Sequence, residues 1–191
     1  MSSKSEILNS IKNASLKEVR RDDENFTLTT YENKLKAFKE SIKGVAGKFI
    51  ECDENKIASK IEEIFGKDKK IASNIKECSA KNVELEGIKS PKELKDIDIA
   101  IVKGEFGVSE NGAIYINDDD LKYRALLFIT KTLVILLDKN TLVNNMQEAY
   151  KKISNDANFG VFISGPSKTA DIEQSLVIGA HGAVECYIFL V

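Results

Sequence analysis

Short apolar runs rich in β-branched residues, separated by segments with helical periodicity, are the sequence feature that most restricts the fold. The runs IDIAIV, TLVILL and CYIFLV are almost continuously apolar, which is typical of strands whose two faces are both covered. GKFIEC, KKIASN, AIYI and VFIS are further strand candidates, and helical spacing occurs in NKIASKIEEIFG, 142–153 and 169–180. The sequence therefore predicts an α/β fold with an open, mostly parallel sheet, whose ligands are expected beyond the carboxyl ends of the strands.

The first quarter of the chain has a different pattern. Apolar residues recur there at helical spacing, at Ile7, Leu8, Ile11, Leu35, Phe38 and Ile42. This spacing predicts two charged amphipathic helices, over 3–19 and 31–44, joined by a polar link. We accordingly divide the chain into an N-terminal helical segment, 1–45, and an α/β domain, 46–191.

Composition excludes several classes of function. Of the 191 residues, 28 are Lys or Arg and 30 are Asp or Glu, and the net charge is -2. Because the lysines are interspersed with acids, no concentrated basic face for nucleic acid is expected. The N-terminal stretch lacks the apolar core of a signal peptide, and the apolar segment 125–137 is interrupted by Lys131 and too short for a membrane span. The sequence thus predicts a cytoplasmic protein.

The residues that usually hold metals are sparse and scattered. Cys52, Cys78 and Cys186 show neither CxxC nor ferredoxin-like spacing, and His181 is the only histidine. The run Asp118-Asp119-Asp120 is more typical of a solvated turn than of a cation site. We therefore expect no metal and no cofactor in this chain.

The stretch VSENGAIYI contains the first candidate for chemistry. Glu110 follows a predicted strand and precedes Asn111-Gly112, a strong turn signal. At a strand end its carboxylate could attack an acyl-thioester or accept a proton, with Asn111 and the Gly112 amide stabilising an oxyanion. The alternative is an ordinary hairpin turn with a solvent-facing glutamate.

The stretch ISGPSKTADIEQ contains the second candidate. A predicted strand passes through Gly165 into a helix predicted to begin near Thr169. Free N–H groups, the helix dipole, the hydroxyls of Ser167 and Thr169 and the charge of Lys168 would suit a small carboxylate or phosphate. The alternative is simple capping of the helix. GPSKT lacks the glycine spacing of a Walker loop, and no GxGxxG is present.

His181 lies in GAHG, where the predicted helix would end. An imidazole can transfer a proton near neutral pH. It can equally stabilise the last carbonyl groups of a helix, with Gly182 as the cap. Both roles stay open from the sequence.

Taken together, ISGPSKTADIE (163–173) and GAHG (179–182) resemble the C-terminal signature of the LUD-domain family, the lactate-utilisation protein C (LutC/YkgG) group. The resemblance implies a fold of the NagB/RpiA/CoA-transferase-like type. It also implies a role in the conversion of L-lactate to pyruvate beside iron–sulfur lactate-utilisation proteins (LutA/LutB-like). The clusters would then belong to those partners. Where the family pattern reads A-E-T-G-T, Glu110 and Gly112 match, whereas Ser109, Asn111 and Ala113 depart from it.

SENG also resembles the active-site signature of family I CoA transferases, whose motif glutamate forms a thioester with CoA. This resemblance implies Glu110 as a nucleophile, and it is shorter than the match over 163–182. A third possibility is a ligand-binding or assembly module without catalysis. We favour the LUD family and expect the chain to be a subunit or accessory protein of an L-lactate-oxidising complex.

Overall fold

The computed structural model describes residues 3–13, 27–75, 78–117, 121–153, 158–170, 176–179 and 181–191. The helices are α1 (Ser3–Asn13), α2 (Lys34–Gly44), α3 (Ile57–Phe65), α4 (Leu126–Ile129) and α5 (Met146–Lys152), with 3-10 turns at Glu54–Lys56, Pro91–Asp96 and Lys139–Thr141. The strands are β1 (Lys48–Glu51), β2 (Ile71–Ser73), β3 (Ile99–Lys103), β4 (Phe106–Gly107), β5 (Ile114–Asn117), β6 (Thr132–Leu137), β7 (Gly160–Ile163), β8 (Lys168–Ala170), β9 (Leu176–Ile178) and β10 (Glu185–Leu190).

A five-stranded parallel sheet forms the centre of the molecule, with the order β1-β10-β6-β3-β2. The chain crosses from β1 at one edge to β2 at the other. It then returns strand by strand through β3 and β6 to β10, which lies beside β1. The predicted α/β fold with a mostly parallel sheet is confirmed.

Helical segments and a second sheet cover the two faces of the central sheet. On one face Ile61 of α3 packs in a cluster with Ile101 and Val134. On the other face Phe38 and Ile42 of α2 are fully buried in the larger cluster. This burial of both faces explains why the central strands are almost continuously apolar.

The second sheet is antiparallel, with the order β4-β5-β7, and it packs against the central sheet through β5. A separate hairpin consists of β8 and β9, which pair antiparallel from Lys168↔Ile178 to Ala170↔Leu176.

The helix predicted over 169–180 is therefore wrong for the described part of that range. Helical spacing there competes with the β-branched residues Thr169, Val177 and Ile178, and cross-strand pairing outweighs the local periodicity. The prediction for residues 171–175 lies outside the described residues.

The other helix predictions differ from the structure mainly at their ends. Within 142–153 the helix begins only at Met146, because Val143 forms a bridge with Val108 and Asn145 caps the helix by accepting a hydrogen bond from the Glu148 N–H. In α1 the apolar side chains Ile7, Leu8 and Ile11 are 60%, 49% and 65% exposed, so the described chain does not cover them. Residues 14–19 and the Asp118–Asp120 turn lie outside the described residues.

Candidate functional site

The turn between β4 and β5, residues 108–113, carries the first set of predicted site residues. It is closed by hydrogen bonds from the Val108 N–H to the Ala113 carbonyl (2.8 Å) and from the Gly112 N–H to the Val108 carbonyl (2.9 Å). Gly112 has φ +69°, a conformation that favours glycine. The Asn-Gly turn signal is thus accounted for by backbone geometry.

Glu110 is exposed, and its carboxylate has a partner. Its Oε2 atom accepts a hydrogen bond of 3.1 Å from the backbone N–H of Met146, the first residue of α5. The Glu110 N–H in turn donates to the Asn144 carbonyl at 3.0 Å. A carboxylate at a helix start stabilises the free N–H groups there, so Glu110 holds the turn against α5.

Two serines fix the turn to its other neighbours. Ser41 of α2 donates through its hydroxyl to the Ser109 carbonyl at 2.8 Å. Ser164, which follows β7, donates through its hydroxyl to the Asn111 carbonyl at 2.8 Å. The structure thus brings the Glu110–Asn111–Gly112 turn next to the segment that begins the ISGPSKT motif.

Gly165 makes a close backbone approach. Its φ is +73°, and a Cβ atom at this position would lie 2.6 Å from the Val45 carbonyl oxygen. A Cβ on Gly47 would lie 3.6 Å from the Gly165 Cα. The motif glycine is therefore needed where this loop crosses the chain just before β1.

Ser167 connects the motif loop to the segment around His181. Its N–H donates to the Ala183 carbonyl at 2.9 Å, and its carbonyl accepts from the Gly179 N–H at 2.9 Å. A Cβ on Gly182 would lie 3.1 Å from the Ser167 Cβ. The described residues of the two halves of the family-like signature, 163–170 on one side and 179, 181 and 182 on the other, are thus neighbours in space, although Lys168 and Thr169 lie on a strand and not at a helix start.

We call residues 164–168, 179 and 181–184 the amino-edge cluster, because they lie where the parallel strands begin. Gly165 contacts the residues before β1, Ala183 precedes β10, and the Val184 and Glu185 N–H groups donate to the Lys131 carbonyl before β6. The expectation of a ligand loop beyond the carboxyl ends of the strands is wrong for this motif. The helix-dipole argument also fails, because Thr169 begins no helix.

The opposite edge of the sheet contains a cavity. A cleft of about 280 Å³ lies at the carboxyl ends of β2, β3, β6 and β10, and is lined in part by Ile75, Lys103, Leu136 and Asp138. We call it the carboxyl-edge cavity. Sequence reasoning missed these residues, although Lys103 and Asp138 come directly after two of the apolar runs, IDIAIV and TLVILL.

The thiols and other ionisable groups add little to either region. Burial raises the pKa of the Cys186 thiol to about 12 and also raises the pKa of Cys52. Within the described ranges no group of three or more His, Cys, Asp or Glu side chains is placed to hold a metal ion. In the same ranges no helix combines the length and the apolarity needed to cross a membrane.

The chain is thus an α/β protein that combines an open parallel sheet with a second, antiparallel sheet. A Gly-Pro-Ser-Lys loop lies against a His-Gly turn. The family model of the LUD domain matches residues 35–191. The chain therefore belongs to the LUD-domain family, as the signature residues indicate. The match begins inside α2, whose Phe38 and Ile42 are part of the main core.

Several curated relatives match part of the chain. Lactate utilization protein C 1 of Bacillus mycoides is 31% identical over 104 residues, 51% of this chain and 44% of the relative. Lactate utilization protein C of Shouchella clausii is 34% identical over 98 residues, 48% of this chain and 43% of the relative. The matched stretch thus spans less than half the length of these relatives.

A solved structure shows the same fold. The crystal structure of a DUF162 family protein from Deinococcus radiodurans superposes with a TM-score of 0.61 at 16% identity, covering 83% of this chain and 96% of that chain. At this identity the likeness supports the fold alone.

Proposed function

We propose that this chain is the LUD-domain component of a lactate-utilisation system that converts L-lactate to pyruvate with iron–sulfur partner proteins. The observation that carries the proposal is the family match over residues 35–191, together with relatives named lactate utilization protein C. Oxidation of the lactate C2 hydroxyl to a carbonyl releases two electrons and two protons. In this proposal the electrons pass to the clusters of the partners.

The proposed site joins the turn at Glu110, Asn111 and Gly112 to the amino-edge cluster. The Ser164 hydroxyl bond to the Asn111 carbonyl supports this joint site, because it fixes the two loops against each other. Exposed Lys168 provides a positive charge for a small carboxylate or phosphate, with Thr169 next to it on β8.

Within this site the sequence candidates take distinct roles. Glu110 and His181, both exposed, are the candidate proton-transfer groups. Gly165 shapes the loop, and Ser167 contributes its hydroxyl group.

Deletion of the gene in its source organism tests the proposal. We expect growth on L-lactate to fail after deletion and to return with the wild-type gene. The Glu110→Gln variant should lower L-lactate-dependent dye reduction in extracts at least about tenfold, because the amide keeps the shape and removes the basicity.

Glu40→Gln is the matched control, because Glu40 is an exposed glutamate on α2. It should restore full activity. Unchanged growth of the deletion strain on L-lactate would refute the lactate role itself. Full activity of Glu110→Gln would instead move the candidate chemistry to the GPSKT loop and His181.

The alternative is a CoA-transferase reaction at Glu110. Its carboxylate would attack the carbonyl of an acyl-CoA and expel the CoA thiolate. The thiolate would then attack the glutamyl carbonyl and release the free acid, leaving a thioester on Glu110. The Met146 N–H already occupies one oxygen of this carboxylate, which makes the carboxylate a weaker nucleophile. An adduct on Glu110 that is sensitive to borohydride after incubation with acyl-CoA would favour this alternative over the lactate proposal.

A further inference from the structure

The central sheet and the antiparallel second sheet have four edge strands, β1, β2, β4 and β7. Other segments of the chain cover two of these edges. On the outer side of β2, the Val83 N–H donates to the Ile71 carbonyl at 3.0 Å, and Val83 forms a bridge with Ala72. On the outer side of β4, the Val143 N–H donates to the Gly107 carbonyl at 2.9 Å. These two edges are therefore closed to a further strand.

The edge of β1 is protected by charge. Its first and last residues, Lys48 and Glu51, are charged and exposed, and Glu51 forms an ion pair with Lys39 of α2. Charged side chains, lysine above all, keep an edge strand from pairing with another chain. A partner strand on β1 is thus disfavoured.

The edge of β7 has neither kind of protection. Its sequence, GVFI, contains no charged residue and no proline, and Gly160 is exposed. In the described ranges, no segment pairs with the side of β7 that faces away from β5. An uncharged strand edge of this kind is a template for one more strand.

The hydrogen bonds of β5 show how the backbone of β5 is oriented. The Tyr115 carbonyl accepts from the Glu105 N–H at 2.9 Å, so the backbone groups of Tyr115 face β4. Backbone groups of successive residues in a strand point to opposite sides. Those of Ile114 and Ile116 therefore face β7.

This orientation fixes which groups β7 presents at its open edge. The residues of β7 that pair with Ile114 and Ile116 are Ile163 and Val161, so their N–H and C=O groups are directed at β5. The alternate residues, Gly160 and Phe162, consequently direct their N–H and C=O groups away from β5. The open edge thus offers two residues with a donor and an acceptor each.

An exposed aromatic side chain lies beside the same edge. Tyr150 of α5 is 65% exposed, and its ring meets the Phe162 ring edge to face, with 5.9 Å between the centroids. Tyrosine and other aromatic residues are enriched in protein interfaces. Because Phe162 belongs to β7, a strand added at the open edge would also come next to Tyr150.

A second copy of this chain is the partner that β7 itself specifies. Antiparallel pairing about a two-fold axis requires the same donors and acceptors on both sides, and Gly160 and Phe162 supply them in each copy. The net charge of -2 gives little repulsion between copies. We propose that β7 pairs antiparallel with β7 of a second copy, so that the two antiparallel sheets join into one continuous sheet.

Symmetry restricts the register of this pairing. Opposed residues of an antiparallel pair place their side chains on the same face, so the two-fold axis passes through a residue and not between two residues. With the axis at Val161, Gly160 of each copy lies opposite Phe162 of the other, and all the outward backbone groups of β7 are hydrogen-bonded. The two Val161 residues then form a pair without hydrogen bonds between them.

Sedimentation velocity of the full chain tests the association. Because the edge is short, we expect a reversible monomer–dimer equilibrium between about 5 and 500 μM protein. Val161→Lys brings two ammonium groups together at the axis and should raise the dissociation constant of the dimer at least about tenfold. Val161→Thr, which keeps the branched shape without a charge, is the matched control and should dimerise as the wild type does. Melting temperatures show whether both variants are folded.

Oxidative cross-linking tests the register without depending on Val161→Lys. The Cys52→Ser protein is the background, because Cys52 is the partly exposed thiol whereas Cys78 and Cys186 are buried. In this background Val161→Cys should form a disulfide-linked dimer, since Cα atoms of an opposed pair without hydrogen bonds lie about 4.5 Å apart.

Ile163→Cys is the matched control for cross-linking. It lies on the same strand and the same face as Val161, and both are half-buried. In the proposed register the two Ile163 positions are far apart, so this variant should not cross-link.

Three results would overturn the proposal. They are a monomer at every concentration, a dimer that is equally stable in a folded Val161→Lys protein, and cross-linking of Val161→Cys no faster than that of Ile163→Cys. These measurements report association and not lactate oxidation, so they are independent of the lactate proposal.

Discussion

The two edges of the central sheet are built in contrasting ways. At the amino edge, backbone segments pack closely, with Gly165 against Val45 and Ser167 hydrogen-bonded to Ala183. At the carboxyl edge, the strand ends leave a cavity with aliphatic walls and a lysine without an ion pair among the described residues. The comparison teaches that a recognisable family motif can mark a tightly constrained backbone crossing.

The turn 108–113 connects these two regions. Through Asn111 it contacts Ser164 of the amino-edge cluster, and through Glu110 it contacts Met146. Met146 lies on the segment that follows β6, and this segment lines the carboxyl-edge cavity at Asp138 before it reaches α5. Substitutions in the turn therefore test how far the two edges are independent.

The largest expected effect is the difference in the free energy of unfolding between glycine-to-alanine variants at the two edges. Gly165→Ala should lower the free energy of unfolding by about 3 kcal/mol or more, since it combines φ +73° with a clash against a backbone carbonyl. Gly104→Ala, at the carboxyl edge, should cost less, about 1–3 kcal/mol, because it overpacks the methyl groups of Ile114 and Ile135 without the added strain of a positive φ. Urea unfolding curves measure both.

Gly66→Ala separates strain from contact in this comparison. Gly66 has φ +81° with no atom within 4 Å of an added Cβ, so its replacement shows the cost of backbone conformation alone. A Gly165→Ala protein no less stable than Gly66→Ala would contradict the close packing that we describe at the amino edge.

A smaller effect is expected where Glu110 holds the start of α5. Glu110→Ala removes the hydrogen-bond acceptor for the Met146 N–H and should cost about 1 kcal/mol. Glu110→Gln keeps an acceptor and should cost only a few tenths of a kcal/mol. Thermal unfolding of both variants measures the difference.

The smallest effect concerns Glu148, next to the same helix start. Hydrogen bonds from the backbone and the side chain of Asn144 lower the pKa of the Glu148 carboxyl. Its contribution to stability is therefore fully present above the unfolded value of about 4.3 and is lost as pH falls through the lowered folded pKa. The difference in melting temperature between wild type and Glu148→Gln should be constant from pH 7 to 5 and should shrink below about pH 4.

Glu40→Gln should show a melting temperature difference near zero across the same range. A Glu148→Gln difference that grows on acidification would contradict the assigned hydrogen bonds.

The fold was largely predictable from the sequence, whereas the site was predictable only in part. IDIAIV, TLVILL and CYIFLV form parallel strands because their length and continuous apolarity suit burial on both faces. In the described part of 169–180 the helix prediction failed because helical spacing favours a helix there, whereas the β-branched residues favour a strand. The pairing of β8 with β9 decides for the strand. Glu110 was recognised as a turn residue, but its partner Met146 lies 36 positions away and no local signal indicated it.

By itself the sequence determined the α/β class, the LUD family and the residues of the GPSKT and AHG segments. Each of these depends on a local pattern or on the order of residues in a motif. Only the tertiary structure decided which edge of the sheet each segment occupies. The order β1-β10-β6-β3-β2 sets that placement, and it arises from contacts between segments far apart in the chain. For the same reason Lys103 and Asp138 line one cavity only because the ends of β2, β3, β6 and β10 are brought together.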